Sequence, residues 1–329
     1  MAGSMTSPLL QVRGLTVQFR TDRGFVNAVD SVSLNVDAGE TLAVVGESGS
    51  GKSVTALSLL RLVPSPQGRI VAGEVIFDGQ DLLTLDDRQM RAVRGNRIAM
   101  IFQEPMSSLN PTLTMGLQVA EPFSIHDGTP WAAALGKAKT LLDRVRIPDS
   151  GARLAAYPHQ FSGGMRQRVM IAMALACRPR MIIADEPTTA LDVTVQAQIL
   201  DLLKELTQET RSALILITHD LGVVARYADR VCVMYAGRIV ETGTARDIYE
   251  RASHPYTRAL MASIPRLDRD TATRLEPIEG YPPSLAQLPP GCAFHPRCRF
   301  AADPCGRRVP MLEKIGERHH RACFVDAAV

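Results

Sequence analysis

The sequence predicts an α/β fold with a mostly parallel sheet, and three observations support this fold class. Short apolar segments typical of buried strands alternate with longer segments of helical pattern. A glycine-rich turn at residues 46–53 joins an apolar strand over 41–45 to an apolar helix over 54–60. Residues 112–176 are helical in pattern, which indicates a helical insertion into the α/β domain.

The other elements are predicted from local patterns along the chain. Apolar alternation predicts two N-terminal strands joined by a polar turn around residues 22–24. Short runs rich in Val, Ile and Leu predict further strands, longer periodic segments predict helices, and an Ala-Gly pair at 236–237 predicts a hairpin. The strands are predicted at 12–19, 31–36, 74–79, 97–102, 181–185, 213–218, 231–234 and 238–240, and the helices at 165–177 and 193–210.

Residues 46–53 read Gly-Glu-Ser-Gly-Ser-Gly-Lys-Ser, which matches the phosphate-loop motif G-x-x-x-x-G-K-[ST] in its strand-turn-helix context. Such glycines let backbone amides face inward, and the following helix adds a partial positive charge, so the loop can cradle phosphates. Lys52 is expected to reach the outer phosphates and the Ser53 hydroxyl to bind Mg²⁺. The predicted ATP-binding residues here are Gly46, Glu47, Ser48, Gly49, Ser50, Gly51, Lys52, Ser53 and Val54.

Polar residues at the ends of three other predicted strands complete this site. Asp185 and Glu186 follow an apolar strand, where Asp185 can hold Mg²⁺ through water and Glu186 can orient or deprotonate the attacking water. Gln103 ends its strand and can touch Mg²⁺ or that water without adding charge. His219 follows strand 213–218 and can hydrogen-bond the terminal phosphate. We therefore predict Mg²⁺ ligands at Ser53, Gln103 and Asp185.

A second phosphate-binding helix start is predicted at Ser162, Gly163 and Gly164. These residues open the helix at 165–177, so free amides, a hydroxyl and a positive helix end are available there. A second such start in one chain is redundant unless it serves the nucleotide of another molecule. Two copies facing head to tail would each complete the other's site.

The ordered set of phosphate loop, Gln103, Ser162-Gly163-Gly164, Asp185-Glu186, residues 190–192 and His219 resembles an ABC-transporter ATPase subunit. The resemblance covers residues 10–264 and implies a RecA-like parallel sheet, an antiparallel β subdomain and a helical subdomain at about 106–178.

The same resemblance implies roles for individual residues. Glu186 is implied as the catalytic base and His219 as the reader of the γ-phosphate. Ser162, Gly163, Gly164 and Met165 are implied to contact ATP on the opposite subunit, although the family commonly has Gln where this chain has Met165. Asp192 is implied at the dimer seam. The aromatic residue that stacks on adenine most resembles Phe19, with Phe25 as the alternative.

More narrowly, segments 102–111, 157–160, 254–257, 289–292 and 296–298 resemble the oligopeptide and dipeptide importer branch. That branch implies a peripheral ATPase at the cytoplasmic face of the membrane. Its partners would be a second, non-identical ATPase, two transmembrane permease subunits and a periplasmic or extracellular substrate-binding protein. The residues after Gln103 are implied to receive the membrane partner. Import of nickel, murein peptides or another small solute by the same machinery remains an alternative.

A C-terminal extension at 265–329 is proline-rich and then cysteine-rich, with the spacing C-x5-C-x6-C-x17-C. In a cytoplasmic protein such a cluster suggests metal ligands before disulfides, and the C-x2-C pairs of zinc ribbons are absent. Relatives with similar tails carry a four-iron cluster, so the resemblance implies a [4Fe-4S] cluster that stabilises the extension. Zn²⁺, with His295, His319 or His320 as substitute ligands, and four unliganded surface cysteines are the alternatives. The predicted cluster ligands are Cys292, Cys298, Cys305 and Cys323.

Composition and length limit the remaining function classes. The 329 residues carry a net charge of +3, too small to favour broad nucleic-acid binding. No long apolar run or signal-peptide pattern occurs, so we expect a cytoplasmic protein, and residues 1–9 are interpreted as disordered or as a cloning scar. A mechanochemical ATPase acting on DNA or ribosomes is the alternative of another class. Its usual coiled coil, zinc modules in the head or second ATPase head are not visible.

Overall fold

The computed structural model describes residues 7–22, 24–189, 191–263 and 278–325. The chain divides into two compact units, of which one comprises residues 36–40 and 84–217 and the other 8–35, 41–83 and 218–325. We call the first the helical unit and the second the phosphate-loop unit. Residues 1–6 of the predicted disordered segment, Arg23 of the predicted turn, Ala190, and the start of the extension at 264–277 lie outside the described residues.

Twelve strands and eleven α-helices are found in the part of the chain that the structure describes. The strands are β1 (Leu10–Thr21), β2 (Gly24–Val36), β3 (Thr41–Val45), β4 (Gly68–Phe77), β5 (Gln80–Asp81), β6 (Ile98–Ile101), β7 (Met181–Asp185), β8 (Ala213–Ile217), β9 (Arg230–Tyr235), β10 (Arg238–Thr244), β11 (Glu313–Lys314) and β12 (His320–Arg321). The helices are α1 (Lys52–Leu59), α2 (Asp87–Val93), α3 (Pro105–Ser108), α4 (Met115–Asp127), α5 (Trp131–Arg144), α6 (Ser150–Arg153), α7 (Gly163–Leu175), α8 (Val193–Thr210), α9 (Leu221–Tyr227), α10 (Ala245–Arg251) and α11 (Pro255–Ala262).

The phosphate-loop unit contains two groups of hydrogen-bonded strands. One is the four-stranded order β2-β1-β4-β5, in which β1 runs antiparallel to β4 and Phe19 pairs with Gly68. The other has the order β3-β9-β10-β12-β11. Strand β3 is parallel to β9, whereas β10, β11 and β12 pair antiparallel with their neighbours. Residues Thr41 to Val45 are all buried, as expected for a parallel strand covered on both faces.

The helical unit is built on the parallel strands β6, β7 and β8, with β7 in the middle. Every residue of β7 and β8 is buried, and these strands occupy residues 181–185 and 213–217 as their apolar runs predict. Helices α3 to α7 follow β6 in sequence, which confirms a helical segment between β6 and β7. No helix among the described residues is long and apolar enough to cross a membrane.

The strand predicted within 74–79 begins earlier, at Gly68, and ends at Phe77. Two other predicted strands, at 31–36 and 238–240, were too short because a local feature interrupts the hydrophobic pattern in each. Strand β2 begins at Gly24 rather than at 31, and Ser31 inside it has a φ of 53°, where its amide donates to Thr16 Oγ1 at 3.1 Å. Strand β10 continues past residue 240 to Thr244 through the buried carboxylate of Glu241, which apolar periodicity cannot anticipate. Helix α7 begins at Gly163 rather than at 165.

The C-terminal extension packs on the core of the phosphate-loop unit. Strand β12 pairs with β10, with Thr242 opposite His320. It therefore extends the group of paired strands that contains β3, β9 and β10. Phe294 of the extension lies with its ring 5.3 Å from Tyr235 of β9 and 5.3 Å from Tyr256 of α11. The two tyrosine rings are 4.6 Å apart, and Tyr256 is fully buried. Three aromatic rings from a strand, a helix and the extension therefore form one cluster.

Candidate nucleotide site and cysteine cluster

The phosphate loop, residues 46–53, has a backbone that only glycine fits at two positions. Gly46 has a φ of 153° and Gly51 a φ of 101°. A Cβ on Gly46 would lie 2.2 Å from the carbonyl oxygen of Met234, and one on Gly51 would lie 2.6 Å from that of Ala28. The loop is thus held against neighbouring backbone so closely that any side chain at these positions would displace it.

Lys52 is the first residue of α1 and is almost fully buried in the loop. Its Nζ donates to the carbonyl oxygens of Gly46 at 2.8 Å and Glu47 at 3.0 Å. The ammonium group therefore lies inside the curve of the loop, where the motif predicts it. Ser53, the predicted Mg²⁺ ligand of this segment, follows in the first turn of α1 and is partly buried.

The structure brings Glu186 and Gln103 together in the helical unit. Glu186 Oε2 accepts a hydrogen bond from Gln103 Nε2 at 3.1 Å and another from Thr189 Oγ1 at 2.9 Å. Glu186 has a φ of 46°, a left-handed conformation that is costly for a residue with a long side chain. Backbone strain of this kind is concentrated at functional sites. Asp185, the last residue of β7, is buried and pairs in register with Ile217.

Ser162 caps α7, accepting a hydrogen bond from the amide of Met165 at 3.3 Å. Ser162 and Gly163 are exposed. The glycines also have a packing role that the sequence did not indicate, since a Cβ on Gly164 would lie 2.8 Å from Val195 Cγ1 of α8. The start of α7 is thus tightly packed on one side and open on the other.

Asp192 and His219 lie at the starts of helices. Asp192 caps α8, and its Oδ1 accepts from the amide of Val195 at 2.9 Å. His219 is exposed and precedes Asp220, which caps α9. The amide of Thr218 donates to the carbonyl oxygen of Val44 at 3.2 Å, so His219 follows directly on a residue paired with β3.

The two candidate aromatic residues have different environments. Phe19 is partly buried on β1 and packs over Gly68, where a Cβ would lie 2.9 Å from its ring. Phe25 is 48% exposed, and the guanidinium carbon of Arg69 lies 3.8 Å from its ring centroid. One face of Phe25 is therefore already covered by a cation.

The four cysteines of the extension line one small cavity together with Phe294 and Pro310. All four are free thiols, Cys305 is buried and the other three are partly buried, so the alternative of exposed surface cysteines does not describe them. The backbone amide of Cys292 donates to the carbonyl oxygen of Cys305 at 2.8 Å. Burial raises the pKa of Cys292 to about 11 and also raises the pKa of Cys298 and of Cys323.

Two of the three histidines suggested as zinc ligands have other side-chain partners. His319 Nε2 lies 2.7 Å from Glu241 Oε1 in a buried pair, and His295 Nδ1 lies 2.9 Å from the carbonyl oxygen of Cys292. His320 lies opposite Thr242 in the backbone pairing of β12 with β10. Within the described ranges, no group of three or more His, Cys, Asp or Glu side chains has a geometry that would hold a metal ion. The predicted stabilisation of the extension by a metal is therefore not shown.

Sequence reasoning missed two residues that contact the phosphate loop. Arg297 forms an ion pair with Glu47, and the hydroxyl of Tyr256 accepts a hydrogen bond from the amide of Glu47. Both residues belong to segments that were used only for the family resemblance. Tyr256 follows Pro255 and Arg297 precedes Cys298 in those segments. Each is more than 200 positions from Glu47 in the sequence, so no local pattern indicated the contact.

Comparisons with known proteins bear on this geometry. Residues 29–189 match the family model described as ABC transporter, and residues 240–305 match the oligopeptide/dipeptide transporter C-terminal region. A probable peptide ABC transporter ATP-binding protein of Sinorhizobium fredii is 54% identical, over 96% of this chain and 94% of the relative. A putative peptide import ATP-binding protein of Brucella ovis is 51% identical, over 96% and 97%.

The chain belongs to the ABC transporter ATP-binding subunits. Its fold agrees with this: the ATP-binding cassette MJ0796, solved as a dimer in a post-hydrolysis state with ADP and Pi, superposes with a TM-score of 0.65 at 29% identity, covering 72% of this chain and 99% of that one. CbiO1 of Clostridium perfringens superposes with a TM-score of 0.62 at 25% identity, covering 75% and 93%. As an ABC subunit the protein is an ATPase, and the α/β fold predicted from sequence is confirmed.

Proposed function

We propose that this ABC ATPase energises the import of dipeptides or oligopeptides. The observation that carries the proposal is the presence in one chain of the ABC match at 29–189 and the oligopeptide/dipeptide transporter C-terminal match at 240–305. Two relatives that align over 96% of this chain, at 54% and 51% identity, are named as a peptide ABC transporter protein and a peptide import protein. Nickel, murein peptides or another small solute would use the same ATPase and would be distinguished by the binding protein.

In the proposed hydrolysis, Glu186 is the general base. Its carboxylate is held by Gln103 and Thr189, which fixes the oxygen that would accept the proton of the attacking water. Lys52 and the amides of residues 46–53 would bind the phosphates, and His219 the terminal one. Phe19 is proposed to stack on adenine, since Phe25 already carries Arg69 on one face.

The proposed Mg²⁺ ligands are the Ser53 hydroxyl, the Gln103 side-chain oxygen and, through water, the Asp185 carboxylate. Oxygen donors of this kind, few in number, suit Mg²⁺, which keeps several waters and shares phosphate oxygens. When bound, the ion supplies charge neutralisation for the phosphates. Burial of Asp185 would keep its carboxylate on the site rather than in solvent.

The proposed working form is a head-to-tail pair of ATPases. Ser162, Gly163, Gly164 and Met165 would contact ATP on the opposite subunit, and the exposure of Ser162 and Gly163 at a helix N-terminus supports this. Asp192 is proposed at the seam. The other partners are a non-identical ATPase subunit, two permease subunits and a substrate-binding protein, with this chain peripheral at the cytoplasmic face. Closure with ATP and reopening after hydrolysis would move the permeases between their two states.

For the four cysteines we propose a [4Fe-4S] cluster. The four thiols line one cavity, which supports a shared cofactor. Zinc bonds to sulfur are about 2.3 Å long, so a single ion draws its ligands into a tight tetrahedron. Zn²⁺ is the alternative, and the proposal of a cluster rests on the cavity that the four thiols share.

The test is ATPase activity of the chain in vesicles with its permease subunits, its sister ATPase and its binding protein. We expect hydrolysis to rise when the binding protein is loaded with a di- or oligopeptide, with peptide accumulating on the far side. Stimulation by a loaded nickel-binding protein instead would contradict the peptide assignment. Stimulation by DNA or ribosomes, without association with permeases, would favour the mechanochemical class.

A further inference from the structure

The carboxylate of Glu47, inside the phosphate loop, is held by an arginine of the C-terminal extension. Arg297 Nη1 donates to Glu47 Oε2 at 2.7 Å, and Nη2 donates to Oε1 at 3.0 Å. This is the two-pronged geometry that makes arginine–carboxylate pairs strong and directional. The side chain of Arg297 is only 5% exposed and that of Glu47 25%, so solvent screens the pair much less than a surface ion pair.

Arg297 is itself fixed by groups of the same unit. Its Nε donates to the carbonyl oxygen of Glu279 at 2.9 Å, and Nη1 also lies 3.3 Å from the hydroxyl of Tyr235. All three guanidinium nitrogens are therefore engaged. The fork is oriented by the backbone of the extension and by a core strand, not by Glu47 alone.

A second contact joins the loop to the same region. The backbone amide of Glu47 donates to the hydroxyl of Tyr256 at 2.9 Å. Tyr256 is packed against Phe294 of the extension, three residues before Arg297. Both the side chain and the backbone of Glu47 are thus held by residues that the extension contacts.

The extension also lines the space in front of the loop. A cavity of about 440 Å³ is lined on one side by residues 47–50 and on another by residues 282–286 of the extension. Thr21 and Val26, from the ends of β1 and β2, form a further wall. A nucleotide on the loop would therefore have the extension as a neighbour.

The charge of Arg297 explains how a carboxylate can stand in the phosphate loop. A carboxylate within a loop that binds phosphates repels them unless it is neutralised, and this repulsion is strong where solvent is excluded. Arg297 neutralises Glu47, and its nitrogens are already used, so it does not serve as a phosphate ligand itself.

We propose that Arg297 is a positioning residue of the nucleotide site and that the C-terminal extension holds the phosphate loop in its ATP-binding form through the Arg297–Glu47 pair. The proposal rests on the proposed role of residues 46–53 in binding ATP phosphates. It assigns the extension a part in nucleotide binding by the same chain, besides any cluster it holds.

The test is the affinity of the full-length chain for Mg²⁺ and a fluorescent ATP analogue. For Arg297→Ala we expect binding weaker by roughly 10- to 100-fold, since removal of one partner leaves the partly buried carboxylate of Glu47 unpaired beside the phosphates. Arg297→Lys should recover only part of the loss, because an ammonium lacks the planar fork. Arg297→Ala with Glu47→Gln should bind at least about 5-fold more tightly than Arg297→Ala alone, because the unpaired charge is gone.

Two controls separate the possible failures. Arg307→Ala removes an exposed ion pair with Asp303 in the same extension, and binding should not change. Lys52→Ala should abolish binding, and if it does not, the phosphate-loop assignment itself fails. If Lys52→Ala abolishes binding while Arg297→Ala binds like wild type, the positioning role is overturned. A double variant as weak as Arg297→Ala would also overturn it, since charge would then not be the cause.

In the assembled transporter, Arg297→Ala should raise KM for ATP and leave kcat within about twofold, because the groups at Glu186 are unchanged. A general loss of folding would instead lower kcat and the thermal midpoint together. A fall in kcat with KM unchanged contradicts the inference.

Discussion

At the scale of the residue, Glu186 illustrates how geometry sharpens a motif. The sequence placed an acid after a buried strand, and the structure adds a left-handed backbone and two hydrogen bonds to one carboxylate oxygen. These bonds hold the side chain in one orientation before any substrate arrives. A general base gains most from such preorganisation.

We expect Glu186→Gln to lower ATP hydrolysis by roughly 10²- to 10⁴-fold while ATP binding is retained. The amide keeps the size of the side chain and loses the proton acceptor. Turnover should be measured in the assembled transporter and affinity on the purified chain. Near-normal turnover of this variant would rule out Glu186 as the base.

A buried histidine makes folding sensitive to pH. His254 caps α11, with Nδ1 accepting from the amide of Tyr256 at 3.0 Å, which requires the neutral ring at that nitrogen. Burial lowers the pKa of His254 to about 4, from 6.5 in an exposed histidine. The nearby charges oppose one another, since Glu241 raises this pKa and Arg321 lowers it.

Because the folded-state pKa is the lower one, the unfolded chain takes up the proton first as the pH falls. Stability supplied by neutral His254 is complete above pH 6.5 and is lost between about 6.5 and 4. The loss amounts to at most about 3 kcal/mol. We expect His254→Asn, which keeps a capping side chain, to flatten this part of a denaturation-versus-pH curve. An unchanged slope between these pH values would contradict the assignment.

At the scale of the element, the start of α7 is constrained from two sides. Its N-terminal amides must stay open for the proposed contact with the opposite ATP, and its glycines must let α8 approach. Ser162 satisfies one amide without filling the opening. The Gly-Gly pair therefore serves packing and, in the proposed pair of ATPases, recognition of the opposite ATP.

For Gly164→Ala we expect a destabilisation of about 1–3 kcal/mol, because the new methyl group would lie 2.8 Å from Val195 Cγ1. Gly136→Ala is a matched control in α5, where nothing lies within 4 Å of the added Cβ. That change should stabilise by about 0.5–1 kcal/mol through helix propensity. Thermal or chemical denaturation measures both, and equal effects would show that close packing is not the cause at Gly164.

At the scale of the whole molecule, the extension is bound into the phosphate-loop unit by three kinds of contact. Strand β12 pairs with β10, Phe294 joins the aromatic cluster, and Arg297 forms an ion pair with Glu47. Cys298 follows Arg297 directly, so the cysteine cavity and the loop contact share one short segment. We expect a change at the cysteines to alter the position of Arg297, which adjoins Cys298 in the chain.

Anaerobic purification should yield a brown protein with about four irons and four sulfides per chain. Release of iron by oxygen or a chelator should then weaken binding of the ATP analogue in the wild type, and much less in the Arg297→Ala, Glu47→Gln double variant. If iron is released and the affinity for the ATP analogue does not change, the cluster does not influence the phosphate loop. One zinc and no colour would instead replace the cluster with a zinc site.

The sequence by itself determined the family and the parallel strands, and it supplied the list of proposed nucleotide-site residues. These signals are local: a phosphate loop needs adjacent residues, and a buried strand shows as a continuous apolar run such as 181–185. The helix 193–210 was predicted with its observed bounds, and the structure adds that Asp192 caps its start.

Only the tertiary structure decided how distant segments meet. Glu47 and Arg297 are 250 positions apart, and nothing in either segment indicates the other. The buried Glu241–His319 pair removes a proposed zinc ligand by giving it a different partner. Charged residues that are far apart in the sequence become partners only when the core packs and brings their segments together. Sequence patterns therefore reveal which residues can do chemistry, whereas folding selects which partner holds each of them in place.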